Sequence, residues 1–476
     1  MPDITVLASG GGNTVPLLST MEEQPSKSNY LSAAATLGAT LLGTGVLAQP
    51  EACENLGIVL FIIVTLLAVS LSHLTAMMLA KTSCFLVQQR LQEQEFEDAI
   101  AEDEDDGEAE IEPFTKGLTY AEVANKVFGR YGKLLTMCAV IVMQIGCCVA
   151  YIVVIGDIFG PLVNFWTSSH IPKPLVLCLV AGLVILPLTV FVRKMSSFQY
   201  TSTFTVIVVV SCAFTIIANS LFVLGSSSPD DRRIELIHDD DYLDRIDLHG
   251  PYWLPKRWFD MLKSLSIVSF AYFMHFNVMP VLHTIMERDN DVRDALQAYN
   301  QASMLSFSTA ICCTGGVGLF GYLTFLNFTK SDVLLNFHVQ GTYISSPFNA
   351  FKLLYGLALS FAYPIVIWEA RENIKLMGVS KEKREWFVVH ALISTVLVAI
   401  TVAIGSVVSD LGIVFGFIGS TCTPIIAYIL PSAVYLRSGA AKHHEDEALP
   451  RFAFALGLVL IPFGLTMWML DLMRDE

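Results

Sequence analysis

Two short runs of helix-breaking residues could bind a ligand through the peptide backbone. In the first run, Gly43-Thr44-Gly45, a proline follows five residues after Gly45. In the second, His275-Phe276-Asn277, a proline follows five residues after His275. Both runs lie within long apolar stretches, where lipid cannot satisfy a freed N–H or C=O group. Each run therefore requires a protein neighbour or a polar cavity.

The two breaks predict a site for both ends of a zwitterion. Freed N–H groups in the first run form the positive end of a half-helix and suit a carboxylate, whereas freed carbonyls in the second suit an ammonium group. A small amino acid carries both groups. The alternative for the first run is a small-residue packing motif between transmembrane helices. The candidate binding residues are Gly43, Thr44, Gly45, Val46, Ala271, Tyr272, Phe273 and Met274.

The elements that position these runs are apolar helices. The chain has 476 residues, of which 54% are apolar and 15% charged, and its mean hydropathy is +0.57. Soluble domains carry about 25% charged residues, so an ordinary soluble enzyme is excluded. Segments of about 20 apolar residues, the length that spans a bilayer, recur eleven times. They lie near 31–54, 56–80, 133–156, 174–192, 198–224, 262–284, 301–327, 347–369, 386–408, 411–435 and 452–471.

The sequence thus predicts an all-α integral membrane protein with a transporter domain over residues 31–472. The two breaks fall in the first and sixth segments, which are corresponding members of two five-helix halves, 31–224 and 262–435. Paired breaks of this kind indicate an inverted repeat whose discontinuous helices form a site near the middle of the bilayer. The eleventh helix, 452–471, would be additional to this 5+5 arrangement.

Lys and Arg residues in the loops predict the orientation. With the N-terminus in the cytoplasm, the cytoplasmic segments hold 19 of the 29 basic residues. Residues 1–30 are then a disordered cytoplasmic tail, 92–112 an acidic cytoplasmic insert, and 225–261 an external or lumenal loop. The sequon at Asn327 lies on the same outer side, so glycosylation there remains open.

The charge and the motifs of the sequence argue against several classes of function. The net charge is −15, and the acidic insert holds twelve carboxylates without a basic residue, which argues against nucleic acid as a partner. A cytoplasmic protein that binds this insert remains open. The cysteines lie mostly in apolar segments without metal-ligand spacing, so we predict no metal and no cofactor. An enzyme is disfavoured because the spans contain no HExxH motif, GxSxG motif or close pair of carboxylates.

Ionisable residues at membrane depth are candidates for carrying a proton. The first is His275, which could equally serve as a structural hydrogen-bond donor. The second is Glu51 near the outer end of the first helix, for which a solvated rim carboxylate is the alternative. His73 is expected to be an interhelical hydrogen-bonding residue, and Glu369 to form an interfacial ion pair with Arg371.

Side-chain selectivity is expected from an apolar wall between the third, sixth and eighth helices. Tyr151 could bind the substrate carboxylate, or could form an interhelical hydrogen bond. Ser360 is a further substrate-binding candidate. We expect no Asp or Glu to face this space, so a neutral substrate is favoured over a cationic one. The wall residues are Val46, Gln144, Tyr151, Phe273, Ser360 and Tyr363.

Four motifs in order resemble the amino acid/auxin permease family, which includes sodium-coupled neutral and proton-assisted amino acid transporters. They are Gly43 to Pro50 continuing to Asn55-Leu56-Gly57-Ile58, the stretch from Leu118 to Asp157, Met274 to Pro280, and Phe417 to Tyr435. The resemblance implies an eleven-helix transporter with the leucine-transporter type of fold, which moves amino acids by alternating access. Whether the membrane is the plasma membrane or a vacuolar or lysosomal one remains open.

The coupling ion could be H⁺ or Na⁺. This sequence departs from the sodium-coupled relatives at positions that would bind sodium. Those relatives have two asparagines before the first-helix glycines, and Thr36 and Ala39 stand at the matching positions. Sodium needs several hard oxygen ligands, so the loss favours a proton. A rival function keeps the fold but makes the protein an amino acid sensor, with little or no flux.

Overall fold

The chain folds as a set of apolar helices long enough to cross a bilayer. The structure is a computed structural model and describes residues 27–101, 118–191, 199–229, 250–255, 257–287, 292–337, 347–384, 386–408, 410–440 and 447–473. Within these ranges every regular element is a helix. Among the described residues, ten helices are long and apolar enough to span a membrane, and one bent pair of helices brings the number to eleven. The expected all-helical membrane fold is thus confirmed.

We number the spans α1 to α11 in chain order. Their bounds are α1, Lys27–Leu41 with Thr44–Val46 and Gln49–Leu56; α2, Ile58–Ala101; α3, Tyr120–Thr167; α4, Lys173–Phe191; α5, Gln199–Leu224; α6, Trp258–Ala271 with His275–Asn277 and Val278–Met286; α7, Val292–Phe328; α8, Pro347–Gly378; α9, Phe387–Val407; α10, Leu411–Ser438; and α11, Ala448–Leu472. Each apolar segment predicted from the sequence coincides with one of these spans.

Local sequence explains where several spans begin and end. At the start of α3, Thr119 accepts the N–H of Glu122, and Glu122 in turn accepts the N–H of Thr119, so both end groups are satisfied. At the start of α10, the carboxylate of Asp410 accepts the N–H of Gly412 at 2.7 Å. α10 ends at Gly439, whose φ of +81° is one that glycine adopts readily.

Three of the non-membrane segments expected from the sequence lie only partly within the described ranges. The helix of α1 begins at Lys27, so residues 27–30 are helical rather than disordered, and residues 1–26 lie outside the described ranges. α2 continues to Ala101, so the first part of the acidic insert is helical, and residues 102–112 lie outside them. Of the loop 225–261, residues 230–249 and 256 lie outside as well.

The packing places α1 and α6 inside the bundle. We call the side of the bundle where α1 begins the inner side and the side where α1 ends the outer side. α3 packs along α8, the inner half of α1 packs on α7, and the outer halves of α1 and α6 pack on each other. α11 is more peripheral and packs mainly on α10. The described core is apolar and continuous around both helix breaks. This arrangement surrounds the breaks with protein, as the unsatisfied backbone groups require.

Candidate functional site

α1 is interrupted in the way that its glycines predict. Its first part ends where Leu42 N–H donates to the Gly38 carbonyl at 2.8 Å, and bonding resumes where Val46 N–H donates to the Gly43 carbonyl at 3.4 Å. The axis bends by 56° between the two parts. Between them, the N–H groups of Gly43, Thr44 and Gly45 begin a new helical segment. The first N–H groups of such a segment have no intrahelical acceptor and carry the positive end of the helix dipole.

α6 is interrupted with the opposite polarity. Its first part ends at Ala271, and Tyr272 and Met274 leave the helical conformation before the short turn His275–Asn277. The last carbonyls of the first part therefore lie at the negative end of a half-helix, at the level of the break. Ala271, Tyr272, Phe273 and Met274 are all buried, as is expected for a break in the interior of a bundle.

The two breaks are in direct contact. A Cβ atom placed at Gly45 would lie only 3.1 Å from the Cα and 3.3 Å from the Cβ of Ala271, so only glycine fits without displacement. The amide of Asn277 also donates a hydrogen bond to the hydroxyl of Thr40. This close approach favours the packing alternative at Gly45. Gly43, the other glycine of the run, has no such close contact with α6 among the described residues.

Gly43 is partly accessible and faces α3. A Cβ atom at Gly43 would lie 3.7 Å from the hydroxyl oxygen of Tyr151, an ordinary contact distance. Tyr151 itself is 9% exposed. Thr44, Gly45 and Val46 are buried beside it. The structure thus brings Tyr151 to the same point as the freed N–H groups of α1, which is the arrangement needed to bind a carboxylate.

The hydroxyl groups expected from α8 are directed elsewhere. Ser360 is 1% exposed and donates to the Gly356 carbonyl of its own helix at 2.8 Å. The hydroxyl of Tyr363 lies 2.6 Å from that of Thr401 on α9. Ser360 can still accept a hydrogen bond, whereas Tyr363 is occupied in joining α8 to α9.

The two histidines at membrane depth join helices. The ring Nε2 of His275 lies 2.8 Å from the hydroxyl of Thr75 on α2, and His275 is fully buried. Because the Thr75 hydroxyl is 2.8 Å from the Leu71 carbonyl, to which it donates, the histidine Nε2–H is the donor to Thr75. The ring Nδ1 of His73 lies 2.9 Å from the hydroxyl of Ser303 on α7, in line with its expected interhelical role.

Glu51 lies in an ion pair at the outer end of the bundle. Its carboxylate is 3.2 Å from Lys263 Nζ of α6, and both side chains are about 15% exposed. A Cβ atom at Gly412, the start of α10, would lie 2.9 Å from Glu51 Oε2. Glu51 thus joins the outer ends of α1, α6 and α10, which differs from a solvated rim carboxylate.

The contacts of Glu369 among the described residues differ from the ion pair with Arg371 that was expected. Its carboxylate accepts a hydrogen bond of 2.8 Å from the Gln144 amide on α3. Arg371 is instead 3.5 Å from Glu372 and also donates to the Ser394 hydroxyl. A sequence cannot easily identify such a partner, because 225 residues separate Gln144 from Glu369.

A segment between α7 and α8 covers the outer half of α1, and sequence reasoning missed it. The N–H of Val333 donates to the Leu47 carbonyl at 3.1 Å. The preceding Asp332 is 1% exposed, and its carboxylate accepts the N–H of Leu334 at 2.8 Å. The signal that could have identified it is an aspartate directly before a short apolar run, a pattern typical of a helix N-cap.

The comparison with protein families agrees with this architecture. The family model described as transmembrane amino acid transporter protein matches residues 26–470. The amino acid transporter AVT6C of Arabidopsis thaliana is 26% identical over 441 residues, covering 88% of each chain. The vacuolar amino acid transporter 2 of Saccharomyces cerevisiae is 22% identical, covering 95% of this chain and 85% of that protein.

A solved structure of similar extent is that of a manganese transporter from Eremococcus coleocola, at 13% identity and a TM-score of 0.46, covering 97% of this chain and 98% of that one. The family match extends over nearly all of the described helices, including both interrupted ones. Its members and the relatives above are transporters rather than enzymes. This multi-pass membrane chain therefore belongs to the transmembrane amino acid transporter family.

Proposed function

We propose that this chain is a secondary active transporter that moves neutral amino acids across a membrane by alternating access. One observation supports this most directly: the accessible backbone of Gly43 and the Tyr151 hydroxyl meet at the break in α1. The freed N–H groups of α1 would bind the substrate carboxylate, and the carbonyls that end the first part of α6 would bind its ammonium group.

The shapes of the two broken spans support an inverted repeat with one additional helix. In α1 a 15-residue helix is followed, after the break, by one of 8 residues. In α6 a 14-residue helix is followed by one of 9 residues. Because α1 and α6 enter the membrane from opposite sides in an alternating topology, matching lengths in chain order are the relation that an inverted repeat produces. The contact of Gly45 with Ala271 supports a shared depth for the two breaks. A shared depth is what a midplane site requires.

A neutral substrate is favoured by the position of the acidic group nearest the wall. Glu369 accepts a hydrogen bond from Gln144, one of the wall residues. It is nine residues beyond Ser360 on α8, about 13 Å along the axis, and so away from the break. A cationic side chain bound at the break would therefore lack a carboxylate partner at that level.

A proton is favoured over sodium by the side chains at the positions where sodium-coupled relatives have oxygen ligands. Ala39 has no side-chain oxygen, and the Thr36 hydroxyl donates to the Ser32 carbonyl of its own helix at 3.1 Å. Ser360 likewise donates within its own helix. Few oxygens remain for a hard cation. We place the N-terminus in the cytoplasm, and the name of the yeast relative favours a vacuolar or lysosomal type of membrane over the plasma membrane.

The experiment is uptake of labelled neutral amino acids by proteoliposomes that contain the purified full chain. Saturable uptake that rises with an imposed pH gradient, with or without sodium, supports the proposal. Uptake that does not change with pH and stops without sodium would overturn the proposal that a proton is the coupling ion. Saturable binding without flux would overturn transport itself and favour the sensor.

A further inference from the structure

In the pair formed by Glu369 and Gln144, only the nitrogen of the Gln144 amide is hydrogen-bonded within the described part of the chain. The amide nitrogen of Gln144 donates to Glu369 Oε2 at 2.8 Å. The amide oxygen of the same Gln144 is buried and has no hydrogen-bond partner among the residues that the structure describes. Gln144 is 1% exposed, so its amide lies within the packed interior. A buried carbonyl oxygen left without a donor destabilises the structure.

Protonation of the carboxyl group would correct this imbalance. A neutral carboxylic acid has one O–H donor and one C=O acceptor, which match the C=O and N–H₂ groups of an amide. Protonated Glu369 could therefore accept from the Gln144 nitrogen and donate to its oxygen. Protonation would also remove a negative charge from the interior of a membrane protein, where an unpaired charge is costly.

Charged groups on α8 are engaged with each other rather than with Glu369. Glu372 lies 2.9 Å from Lys375 and 3.5 Å from Arg371. Arg371 also donates to the Thr189 carbonyl on α4 and the Ser394 hydroxyl on α9, both at 3.1 Å. The two cations near Glu369 in sequence thus have other acceptors.

The helices packed against α3 and α8 offer few further titratable groups at this depth. α5 contains no charged residue and no histidine. On α9, His390 is buried and has contacts of its own. The basic residue of α3 nearest in sequence to Gln144 is Lys133, about 16 Å away along the helix. On α10, Arg437 lies 5.3 Å from the centre of the Phe128 ring. The described partner of Glu369 is therefore an amide and not a cation.

The pair lies between the proposed substrate site and the inner side. Gln144 is seven residues from Tyr151 along α3, about 10 Å, and Glu369 is displaced from Ser360 in the same direction. Glu369 is partly exposed as a residue, whereas Gln144 beside it is buried. A group at this position can exchange protons with one side of the membrane while the substrate site is close by.

We infer that Glu369 binds the proton that this transporter couples to amino acid movement, and that Gln144 positions the neutral acid. The step is the addition of one proton to the carboxylate and its later release to the other compartment. This inference rests on the proposed function, because it assigns the coupling site of the same transporter. It assigns a role to neither His275 nor Glu51, whose contacts are with Thr75 and Lys263.

The test uses three measurements on proteoliposomes with the full chain: accumulation driven by a pH gradient, counterflow without a gradient, and proton flux reported by a trapped pH dye. With one proton per substrate, a gradient of one pH unit supports about tenfold accumulation. Glu369→Gln should lose accumulation and substrate-induced proton flux but keep counterflow. Glu382→Gln, which changes an exposed carboxylate in the turn that follows α8, is the control and should keep all three.

Each outcome separates the inference from the proposed function. If the wild-type chain shows counterflow but neither accumulation nor proton flux, proton coupling fails and the inference fails with it. If the wild type is coupled and Glu369→Gln is coupled equally well, only the inference fails. Loss of counterflow in a Glu369→Gln variant that keeps its melting temperature would also overturn it, since the residue would then be needed for the substrate cycle itself.

Gln144 is tested separately. Gln144→Met removes the hydrogen bond that the amide donates, and the one that it would accept from the neutral acid, while keeping the length of the side chain. Proton-coupled uptake should remain, but the pH of half-maximal uptake should move. An unchanged pH profile would show that Gln144 does not position the acid.

Discussion

The N–H of Val333 donates to the carbonyl of Leu47 at 3.1 Å, so the segment that connects α7 to α8 is bonded directly to the broken first span. Leu47 lies two residues after Gly45, in the turn that leads from the break to the outer half of α1. The segment begins with Asp332, a fully enclosed carboxyl group. Its ionisation is therefore linked to how the segment packs on α1.

The first prediction concerns pH and Asp332. Burial raises the pKa of the Asp332 carboxyl to about 7, with a further rise from the charge of Asp157, while the Leu334 N–H and the charges of Lys352 and Lys173 oppose it. An acid whose pKa is higher in the folded state destabilises that state as pH rises. The penalty is absent below about pH 4, grows up to about pH 7 and is then constant.

Asp332→Asn should therefore melt at a higher temperature than the wild type at pH 8, and the difference should shrink towards pH 4. A shift of about three pKa units corresponds to about 4 kcal/mol at most. Asn keeps the N-cap, so the cap itself is not lost. Asp410→Asn, at another capping position, measures the effect of removing a cap charge alone. Equal gains for Asp332→Asn at both pH values would refute the assignment.

The second prediction concerns Gly43. Gly43→Ala should fold normally, because the added methyl group would meet only ordinary contacts of 3.7 Å. It should raise the KM for uptake about tenfold, because the methyl group occupies space beside the N–H groups that would bind the carboxylate. Gly38→Ala is the control on the same helix, since its Cβ would meet nothing within 4 Å. An unchanged KM for Gly43→Ala would place the ligand elsewhere.

The third prediction concerns the outer ion pair. Glu51→Gln and Lys263→Met should each weaken the link between the outer ends of α1 and α6, because the pair is partly buried and each change leaves the other charge without this partner. Uptake should fall in both. The exchanged pair Glu51→Lys with Lys263→Glu should recover part of the loss. Failure of the exchange to recover any uptake would argue against an electrostatic role.

The fourth prediction concerns His275. Its Nε2–H donates to Thr75, so the histidine joins α6 to α2. His275→Gln keeps a donor and should retain uptake driven by a pH gradient. His275→Ala removes both the donor and much of the packed volume, so it should lower the melting temperature. Loss of pH-driven uptake in a stable His275→Gln protein would restore this residue as a proton carrier.

The positions of the spans and of both breaks could be predicted from the sequence, and for a physical reason. A bilayer requires about 20 apolar residues, and that length is visible directly in the chain. Gly43 and Pro280 mark the interruptions because their backbones do not continue a helix readily.

The partners within the site could not be predicted in the same way. Gln144 and Glu369 are 225 residues apart, and His275 and Thr75 are 200 apart. Their meeting depends on how separate helices pack, which a local pattern does not specify. The expected pairing of Glu369 with Arg371 was a local choice, whereas the structure pairs Arg371 with Glu372.

The contact of Gly45 with Ala271 sets a limit on what the transporter can recognise. Because backbone and Cβ atoms meet there, the spacing of the two interruptions is fixed by van der Waals radii and not by adaptable side chains. The amino and carboxylate groups common to all amino acids would therefore bind in a site of fixed dimensions. Differences among substrates would have to be accommodated by α3 and α8, so changes of specificity should arise from substitutions on those two helices and leave the breaks intact.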